Sequence, residues 1–301
     1  MENLPGSRRD VDRGTAAQEH LAAGAPRERS VRRGTVILDP DAIHLWCAFY
    51  AGIRDDALLR EYEQLLSGSE RQRRSRFVFP DDQHRYLVTR GLVRTVLSRY
   101  VGDIAPAEWI FAPNAHGRPE IANDHPAAKS VSFSISHTRG LIVLALAQSR
   151  DVGVDTEHVG RAAPLEIADR VLTAAEVASL HALPPEGRRR RFLEYWTLKE
   201  SYIKTRAMGL SIPLDTFSFD FVGTRGVEMR IDTEPPASAT NWLLWQFSVR
   251  RNYLIALCAE RKSSIPRVLI KETVPLLADY NLTAKELRAS TGTGTTSTNA
   301  S

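Results

Sequence analysis

Between residues 130 and 157 the chain carries three closely spaced segments that favour strands over helices. Residues 130–136 (SVSFSIS) alternate serine with Val, Phe and Ile, the period of a strand that buries one face. Residues 141–147 (LIVLALA) are apolar throughout and follow a turn at 138–140, which predicts a hairpin. Residues 152–157 predict a third strand. The chain must therefore build at least one β-sheet with a hydroxyl-rich face.

Helical periodicity and turn residues place helices around this block. Helices are predicted at 57–66, 82–100, 165–171, 174–181 and 188–206. Further strands are predicted at 42–50, 218–221, 227–231, 242–249 and 253–259. Residues 85–92 resemble residues 191–198, and each stretch lies in a long helix that ends before a glycine. This echo suggests two similar α+β halves with a site between them, although chance similarity between amphipathic helices also explains it.

Composition bounds the folded part of the chain. Of 301 residues, 43% are hydrophobic and 25% charged, which excludes a fully disordered, collagen-like or coiled-coil protein. We predict a disordered leader at 1–34, an N-terminal half at 35–148, a C-terminal half at 149–288 and a disordered tail at 289–301.

Cysteine usage and hydropathy exclude other classes. Cys47 and Cys258 lie far apart in apolar runs and no CxxC pair exists, so a cysteine-based zinc site is excluded. No apolar run reaches the roughly 18 residues that a membrane span needs, and the N-terminus lacks the apolar core of a signal peptide. We therefore expect a cytoplasmic protein that does not insert in a membrane.

The net charge of +4 is a mild excess of 40 basic over 36 acidic residues. It suits an anionic small molecule or an acidic protein partner. A nucleic-acid-binding protein is the alternative, but it would cluster basic and aromatic residues on one element, whereas acids are interspersed throughout this chain.

Asp155 and Glu157 form the first candidate constellation. Residues two apart on a strand point to the same side, so the two carboxylates share a face. Like charges that close are unfavourable unless a cation or solvent separates them, and Mg²⁺ prefers such carboxylate oxygens. Spacing alone favours a solvated strand end over a metal site.

Two further candidates come from a helix and a strand end. Trp196, Glu200 and Lys204 lie on one helical stripe, where the acid and the lysine form either an ordinary ion pair or part of a metal and phosphate site. Ser136 and His137 end the alternating strand and suit either a structural hydrogen bond or a phosphate contact.

These motifs, taken in order, resemble the 4′-phosphopantetheinyl transferases, specifically the larger single-chain type typified by the surfactin synthetase activator. The resemblance rests on residues 117–119 (GRP), 133–137 (FSISH), 153–157 (GVDTE), 196–204 (WTLKESYIK) and 209–210 (GL). It implies an α+β fold of two halves related by pseudo-twofold symmetry. It also implies transfer of the phosphopantetheine arm of coenzyme A to a serine of an apo carrier protein, with Mg²⁺ as cofactor and adenosine 3′,5′-bisphosphate as by-product.

The resemblance assigns roles to individual residues. It assigns metal binding to Asp155, Glu157 and Glu200. It assigns binding of coenzyme A to Arg73, Arg85, Arg118, Ser136, His137, Lys199 and Lys204. Its catalytic residues are Glu200, Lys204, Lys199 and Glu176, with Glu200 the first candidate for the general base and Glu176 the second.

The resemblance also implies a partner and leaves one alternative. The partner is an acidic helical carrier domain, with the arginines at 71–76 and 188–191 as possible docking surfaces; for 188–191 a solvated helix face is favoured. We expect a monomer, since both halves lie in one chain. A position that is often lysine in the family is Glu70 here. The alternative function is a non-catalytic module that binds coenzyme A or a carrier protein.

Overall fold

The computed structural model describes residues 36–161, 165–208, 211–232 and 235–290. The α-helices are α1 Asp56–Leu65, α2 Gly68–Ser75, α3 Pro80–Tyr100, α4 Pro126–Lys129, α5 Ala168–Val171, α6 Ala174–His181, α7 Pro185–Arg206 and α8 Pro236–Ala239. The β-strands are β1 Ala42–Ala48, β2 Phe111–Pro113, β3 Pro119–Ile121, β4 Val131–Thr138, β5 Leu141–Gln148, β6 Val152–His158, β7 Phe217–Val222, β8 Gly226–Ile231, β9 Trp242–Val249, β10 Tyr253–Glu260, β11 Arg267–Val274, β12 Ala278–Asn281 and β13 Ala284–Ser290.

The two predicted disordered ends fall largely outside the described ranges. All of the predicted leader, 1–34, lies outside them, as does the predicted tail beyond residue 290. The first two residues of that tail, 289 and 290, instead complete β13. The predicted tail therefore began too early, because a short strand with few apolar residues does not stand out from a polar sequence.

Local sequence explains where the helices begin. Helix α2 has no apolar period and was not predicted, but Ser67 and Glu70 form a capping box at its start. Helix α7 begins at Pro185, three residues before the predicted start, because proline is well tolerated in a first helical turn. It ends at Ala207, which takes a left-handed conformation with φ 54°.

Within the described residues the strands form two large sheets and a ribbon. The first sheet has five strands in the order β12-β11-β1-β5-β4. The second has six, in the order β6-β10-β9-β13-β8-β7, and β2 pairs with β3. Strands β4 and β6 therefore each lie at the edge of a large sheet.

The two sheets share one connectivity. In the first, β1 is followed by the long helix α3 and the hairpin β4–β5, and β1 pairs antiparallel with β5. In the second, β6 is followed by the long helix α7 and the hairpin β9–β10, and β6 pairs antiparallel with β10. The predicted α+β fold with two similar halves is thus confirmed, and the echo between residues 85–92 and 191–198 falls on the equivalent helices α3 and α7.

The end of the chain crosses the predicted boundary between halves. Strand β11 pairs parallel with β1, and β12 pairs with β11, so residues 267–281 belong to the first sheet. The boundary at residues 148 and 149 remains a prediction for the start of the second half. This boundary does not separate the two sheets, because β11 pairs parallel with β1 and residues 267–281 therefore lie in the first sheet.

Three apolar cores hold the layers together. Alternate residues of β1, β5, β9 and β10 form one apolar cluster, which includes Leu45 and Trp245. The other face of the first sheet packs against α1 and α3, and that of the second against α6 and α7. No helix in the described ranges has the length and apolar character to cross a membrane.

Candidate active site

Helix α7 lies directly against β6, and Gly153 makes this approach possible. A β-carbon at position 153 would overlap the backbone oxygen of Ser201 and the backbone nitrogen of Thr205. Thr205 Oγ1 also donates to Cys258 O at 3.2 Å on the neighbouring strand β10. This close packing sets Glu200 and Lys204 of α7 beside the acids of β6.

Asp155 is the centre of a buried polar cluster. Its side chain accepts a hydrogen bond from Ser136 Oγ at 2.8 Å and pairs with Lys204 Nζ at 2.6 Å, both at Oδ1. Lys204 Nζ also donates to Ser136 Oγ at 3.1 Å. Side chains of β4 and α7 therefore both contact the carboxylate of Asp155 on β6, and Asp155 is only 6% exposed.

Glu157 lies one step further along the same face of β6. It accepts from Thr138 Oγ1 at 3.2 Å and from Arg161 Nη1 at 2.6 Å. Burial, and then the negative charge of Asp155, raise the pKa of Glu157. The prediction that Asp155 and Glu157 share a face agrees with these contacts.

Glu200 joins the two acids from α7. Burial raises the pKa of Glu200, and Asp155 raises it further, while Lys204 opposes the shift. A carboxyl whose pKa is raised toward neutrality is better suited to accept a proton than an ordinary surface glutamate. Three carboxylates and one lysine thus act on one another at this junction.

A cavity of about 320 Å³ opens beside the cluster. Glu200 and Lys204 line one side of it, and the apolar side chains of Phe133, Ile135 and Ile203 line others. A pocket with an apolar wall and a few convergent charged groups is the usual form of a small-molecule site.

The chemistry of the three carboxylates suits a hard divalent cation, since they are oxygen donors whose mutual repulsion such an ion relieves. The raised pKa values of Glu157 and Glu200 record that repulsion in part. Among the described residues, no three His, Cys, Asp or Glu side chains are already arranged as a metal-holding group. Asp155 Oδ1 is instead occupied by Lys204 and Ser136.

His137 and Arg85 lie close enough for the charge of Arg85 to act on the imidazole of His137. Burial, and then the positive charge of Arg85, lower the pKa of His137. Arg85 itself pairs with Asp82 on the first turn of α3 at 2.8 Å. Because neighbours on a strand face opposite sides, His137 points away from the carboxylates that Ser136 contacts. The hydroxyl of Ser136 belongs to the carboxylate cluster, and the prediction that Ser136 binds cofactor with His137 stays a prediction.

Two predicted catalytic residues lie elsewhere. Lys199 Nζ is fully buried, pairs with Glu176 Oε2 at 2.9 Å and donates to Leu214 O and Phe217 O at 2.8 and 2.6 Å. Glu176 also accepts from Phe219 N at 3.0 Å. Lys199 and Glu176 therefore neutralise each other inside the α6–α7 core, and their predicted roles in catalysis and cofactor binding stay predictions.

Arg118 lines the cavity, but its guanidinium is committed to backbone carbonyls. It donates to Lys204 O at 2.7 Å and to Phe133 O at 2.6 Å. Lys204 O is one of the last carbonyls of α7, and it also accepts a hydrogen bond from Ala207 N at 3.3 Å. These contacts tie the β2–β3 ribbon to α7 and β4, and the predicted cofactor contact by Arg118 stays a prediction.

Some arginines of α2 form ion pairs, and others are exposed. Glu70 is buried and pairs with Arg90 and with Arg94, the latter at 2.7 Å, so it does not stand in for a cofactor-binding lysine. Arg74 pairs with Glu63. Arg73, predicted to bind cofactor, is exposed on α2, and its charge acts on the pKa of Tyr86 in α3.

The arginine run at 188–191 is engaged within the second half. Arg188 donates to Leu183 O at 2.9 Å, beside the end of α6. Arg190 and Arg191 both pair with Glu194, at 3.1 and 3.2 Å. These contacts favour the interpretation as a helix face that serves its own fold over a docking surface.

Sequence reasoning missed Thr138 and Arg161 as partners of Glu157. Thr138 was assigned to a turn, although it continues the alternation of Ser132, Ser134 and Ser136 by one step. That continued period was the signal that places Thr138 on the hydroxyl face of β4. Arg161 follows Glu157 in a loop, where no periodic pattern marks it.

Comparisons with known proteins match most of the described chain. A profile of the 4′-phosphopantetheinyl transferase superfamily matches residues 151–258, and one of the N-terminal region of 4′-phosphopantetheinyl transferases matches residues 56–149. The 4′-phosphopantetheinyl transferase HetI of Nostoc sp. is 31% identical, over 57% of this chain and 71% of that protein. The 4′-phosphopantetheinyl transferase Sfp of Bacillus subtilis is 30% identical, over 66% of this chain and 84% of that protein. A phosphopantetheinyl transferase of Thraustochytrium sp. is 30% identical over 63% and 69%.

Proposed function

The chain belongs to the 4′-phosphopantetheinyl transferase superfamily, and on that premise we propose that it moves the phosphopantetheine arm of coenzyme A onto a serine hydroxyl of an apo carrier protein. It is an enzyme of the 4′-phosphopantetheinyl transferase class. Coenzyme A as donor, adenosine 3′,5′-bisphosphate as by-product and dependence on Mg²⁺ are parts of the proposal.

The observation that carries the proposal is the meeting of β6 and α7 beside the cavity. Asp155 and Glu157 come from the strand, Glu200 and Lys204 come from the helix, and Glu200 and Lys204 also line the cavity. Transfer from a pyrophosphate needs neutralised charge, a positioned nucleophile and a proton acceptor. This group of residues offers each of them.

The residues that would hold Mg²⁺ are Asp155, Glu157 and Glu200. When bound, the ion supplies positive charge to the pyrophosphate that is cleaved. Lys204 would supply a second positive charge to the departing phosphate, with its ammonium group at the cavity wall. The apolar walls around Phe133 and Ile135 keep water from the reacting groups, which strengthens these charge interactions.

Glu200 is the proposed proton acceptor for the serine hydroxyl. Its pKa is raised by burial and by Asp155, which moves it toward the range where a carboxylate is an effective base. Glu176 is the second candidate, and Lys199 and Phe219 N contact its two oxygens.

His137 and Arg85 are the proposed contacts for the 3′-phosphate of coenzyme A. The lowered pKa of His137 favours the uncharged ring, and Arg85 supplies a positive charge beside it. Arg73, exposed on α2, acts on the pKa of Tyr86, the residue after Arg85, and is the proposed further cation for this end of coenzyme A. The proposed acceptor is an acidic helical carrier domain, bound by a monomer of this chain.

The proposal is tested by intact-mass spectrometry of a panel of apo carrier proteins incubated with the enzyme, coenzyme A and Mg²⁺. We expect one carrier or more to gain a single phosphopantetheine arm and lose the ability to react again. EDTA should stop the reaction, and Asp155→Asn, which keeps the size of the side chain but removes its charge, should reduce it to background.

Two outcomes would overturn the proposal. Full activity in Asp155→Asn would remove the carboxylate cluster from the mechanism. Tight binding of coenzyme A without transfer to any carrier would favour the alternative of a non-catalytic binding module. Circular dichroism of Asp155→Asn is the control for folding.

A further inference from the structure

Strands β4 and β6 are joined by side chains instead of by backbone pairing. Each is the edge strand of its own sheet. Three hydroxyl groups on one face of β4 accept hydrogen bonds from three backbone N–H groups of β6. They are Ser134 Oγ from Val154 N at 3.1 Å, Ser136 Oγ from Thr156 N at 3.3 Å and Thr138 Oγ1 from His158 N at 3.2 Å. We call this row of contacts the hydroxyl ladder.

Two members of the ladder also hold the acids of the site. Ser136 Oγ donates to Asp155 Oδ1 at 2.8 Å, and Thr138 Oγ1 donates to Glu157 Oε2 at 3.2 Å. Ser134, the third member, stands opposite Val154, which carries no carboxylate. The chain therefore offers an internal comparison between a contact that joins the strands and one that also orients an acid.

The geometry at Thr138 restricts Glu157. A hydroxyl has one proton to donate and two lone pairs, and His158 N uses one lone pair. With the oxygen fixed in this way, the proton points to Glu157 Oε2 and selects one orientation of the carboxylate. Both side chains are below 10% exposed, so water competes little for these groups.

Arg161 is the weaker of the two constraints on Glu157. It contacts Oε1 at 2.6 Å, but its side chain is 58% exposed and lies in a loop. Exposed ion pairs are screened by solvent and contribute little to holding one geometry. Thr138, on a strand paired along its length with β5, is the rigid partner.

We propose that Thr138 is a positioning residue, through which the N-terminal sheet orients the metal-binding carboxylate Glu157 of the C-terminal sheet. The inference rests on the proposed function, since it concerns the same carboxylate cluster. It adds that the site depends on contact between the two sheets. Outer hydrogen-bonding partners of metal ligands typically change metal affinity by about 10- to 100-fold when removed.

The test compares four variants for binding of Mn²⁺, a spectroscopic substitute for Mg²⁺, by electron paramagnetic resonance without coenzyme A. Thr138→Val keeps the shape of the side chain and removes the hydroxyl, and Thr138→Ala removes it without adding bulk. We expect both to bind Mn²⁺ about 10-fold more weakly than the wild type. Thr138→Ser, which restores the hydroxyl, should bind within about threefold of the wild type.

Ser134→Ala is the matched control, because it removes a ladder contact that touches no acid. It should lower the melting temperature about as much as Thr138→Ala while leaving Mn²⁺ affinity within about twofold. In transfer assays, Thr138→Val should require more Mg²⁺ for half-maximal rate but recover most of kcat at saturating Mg²⁺.

The inference is overturned if folded Thr138→Val and Thr138→Ala bind Mn²⁺ like the wild type. It is also overturned if Ser134→Ala weakens binding equally, since a general loosening of the sheets would then explain the effect. Transfer by the wild type is measured separately. If the wild type shows normal Mg²⁺-dependent transfer and the Thr138 variants bind Mn²⁺ like the wild type, this inference alone is rejected. If the wild type shows neither transfer nor Mn²⁺ binding, the proposed function is rejected as well.

Discussion

Lys204 Nζ lies 2.6 Å from Asp155 Oδ1, so a lysine of helix α7 occupies an oxygen of the carboxylate cluster. Ser136 Oγ contacts both groups and completes a small hydrogen-bonded triangle. A cation that already neutralises Asp155 competes with any metal ion for the same oxygen. In the proposed mechanism a phosphate group and the metal act together, since the phosphate would draw the lysine away from the acid.

Lys204→Met should strengthen metal binding by the enzyme without coenzyme A. The change removes the competing charge, and we expect Mn²⁺ affinity to rise roughly 10-fold, which corresponds to about 1.4 kcal/mol. Transfer should nevertheless fall strongly, because the phosphate loses its lysine contact. Titration with Mn²⁺ and a transfer assay check the two halves of the prediction. Lys129→Met, an exposed lysine of α4, is the control, and unchanged Mn²⁺ affinity in Lys204→Met would show that the lysine does not compete.

His137→Ala should weaken recognition of the 3′-phosphate specifically. A hydrogen bond to a charged group contributes about 1.5–3 kcal/mol, so KM for coenzyme A should rise at least about 10-fold. KM for 3′-dephospho-coenzyme A should stay within about twofold. Arg85→Gln should show the same selectivity, since it supplies the positive charge beside His137. An equal rise in both KM values would remove the 3′-phosphate from the role of these residues.

Lys199→Met should destabilise the protein and leave the chemistry intact. Removal of one partner from the buried Lys199–Glu176 pair leaves an unpaired buried charge, which costs about 3–5 kcal/mol of unfolding free energy. Urea denaturation measures this loss, and kcat per folded molecule should stay near the wild-type value. Lys204→Met is the contrasting variant on the same helix, and its loss of stability should be smaller, because the Lys204 side chain is 29% exposed whereas that of Lys199 is fully buried. A folded Lys199→Met enzyme that is inactive would restore Lys199 to the catalytic group.

His44 should make the protein less stable in mild acid. Trp46 Nε1 donates to Tyr100 OH at 2.8 Å, and that hydroxyl contacts His44 Nδ1, an arrangement that suits the uncharged ring. Burial, and then Lys271, lower the pKa of His44 to about 4. Because the folded pKa lies below the ordinary 6.5, the unfolded chain binds more protons between these values. Stability is therefore fully present above about pH 6.5 and falls as the pH drops toward 4, by about 3 kcal/mol.

The measurement for His44 is the urea midpoint at several pH values between 4 and 7, for the wild type and for His44→Asn. The variant lacks the titrating ring, so its midpoint should depend less on pH in this window. If the urea midpoint depends equally on pH in the two proteins, groups other than His44 cause the loss of stability in acid.

Much of the local structure could be predicted from sequence because it depends on neighbours along the chain. The alternation at residues 130–136 predicts β4, and the apolar run that follows predicts β5. Strand period also places Asp155 and Glu157 on one face, and helix period places Glu200 and Lys204 one turn apart. Strands β11 and β13 were missed, since mixed apolar and charged residues there resemble an exposed segment.

The sequence by itself determined the chemistry of the site: two acids on a strand, a glutamate and a lysine on a helix, and a hydroxyl-rich strand. Only the tertiary structure decided which groups meet. Lys199 and Lys204 are five residues apart, hence about 140° apart around a helix, so one enters the apolar core and the other faces Asp155. Likewise, Ser136 and Thr138 reach the acids because two separate sheets pack edge beside edge. The period of a helix or strand determines the face on which a residue lies, whereas the packing of distant segments determines which residues it contacts.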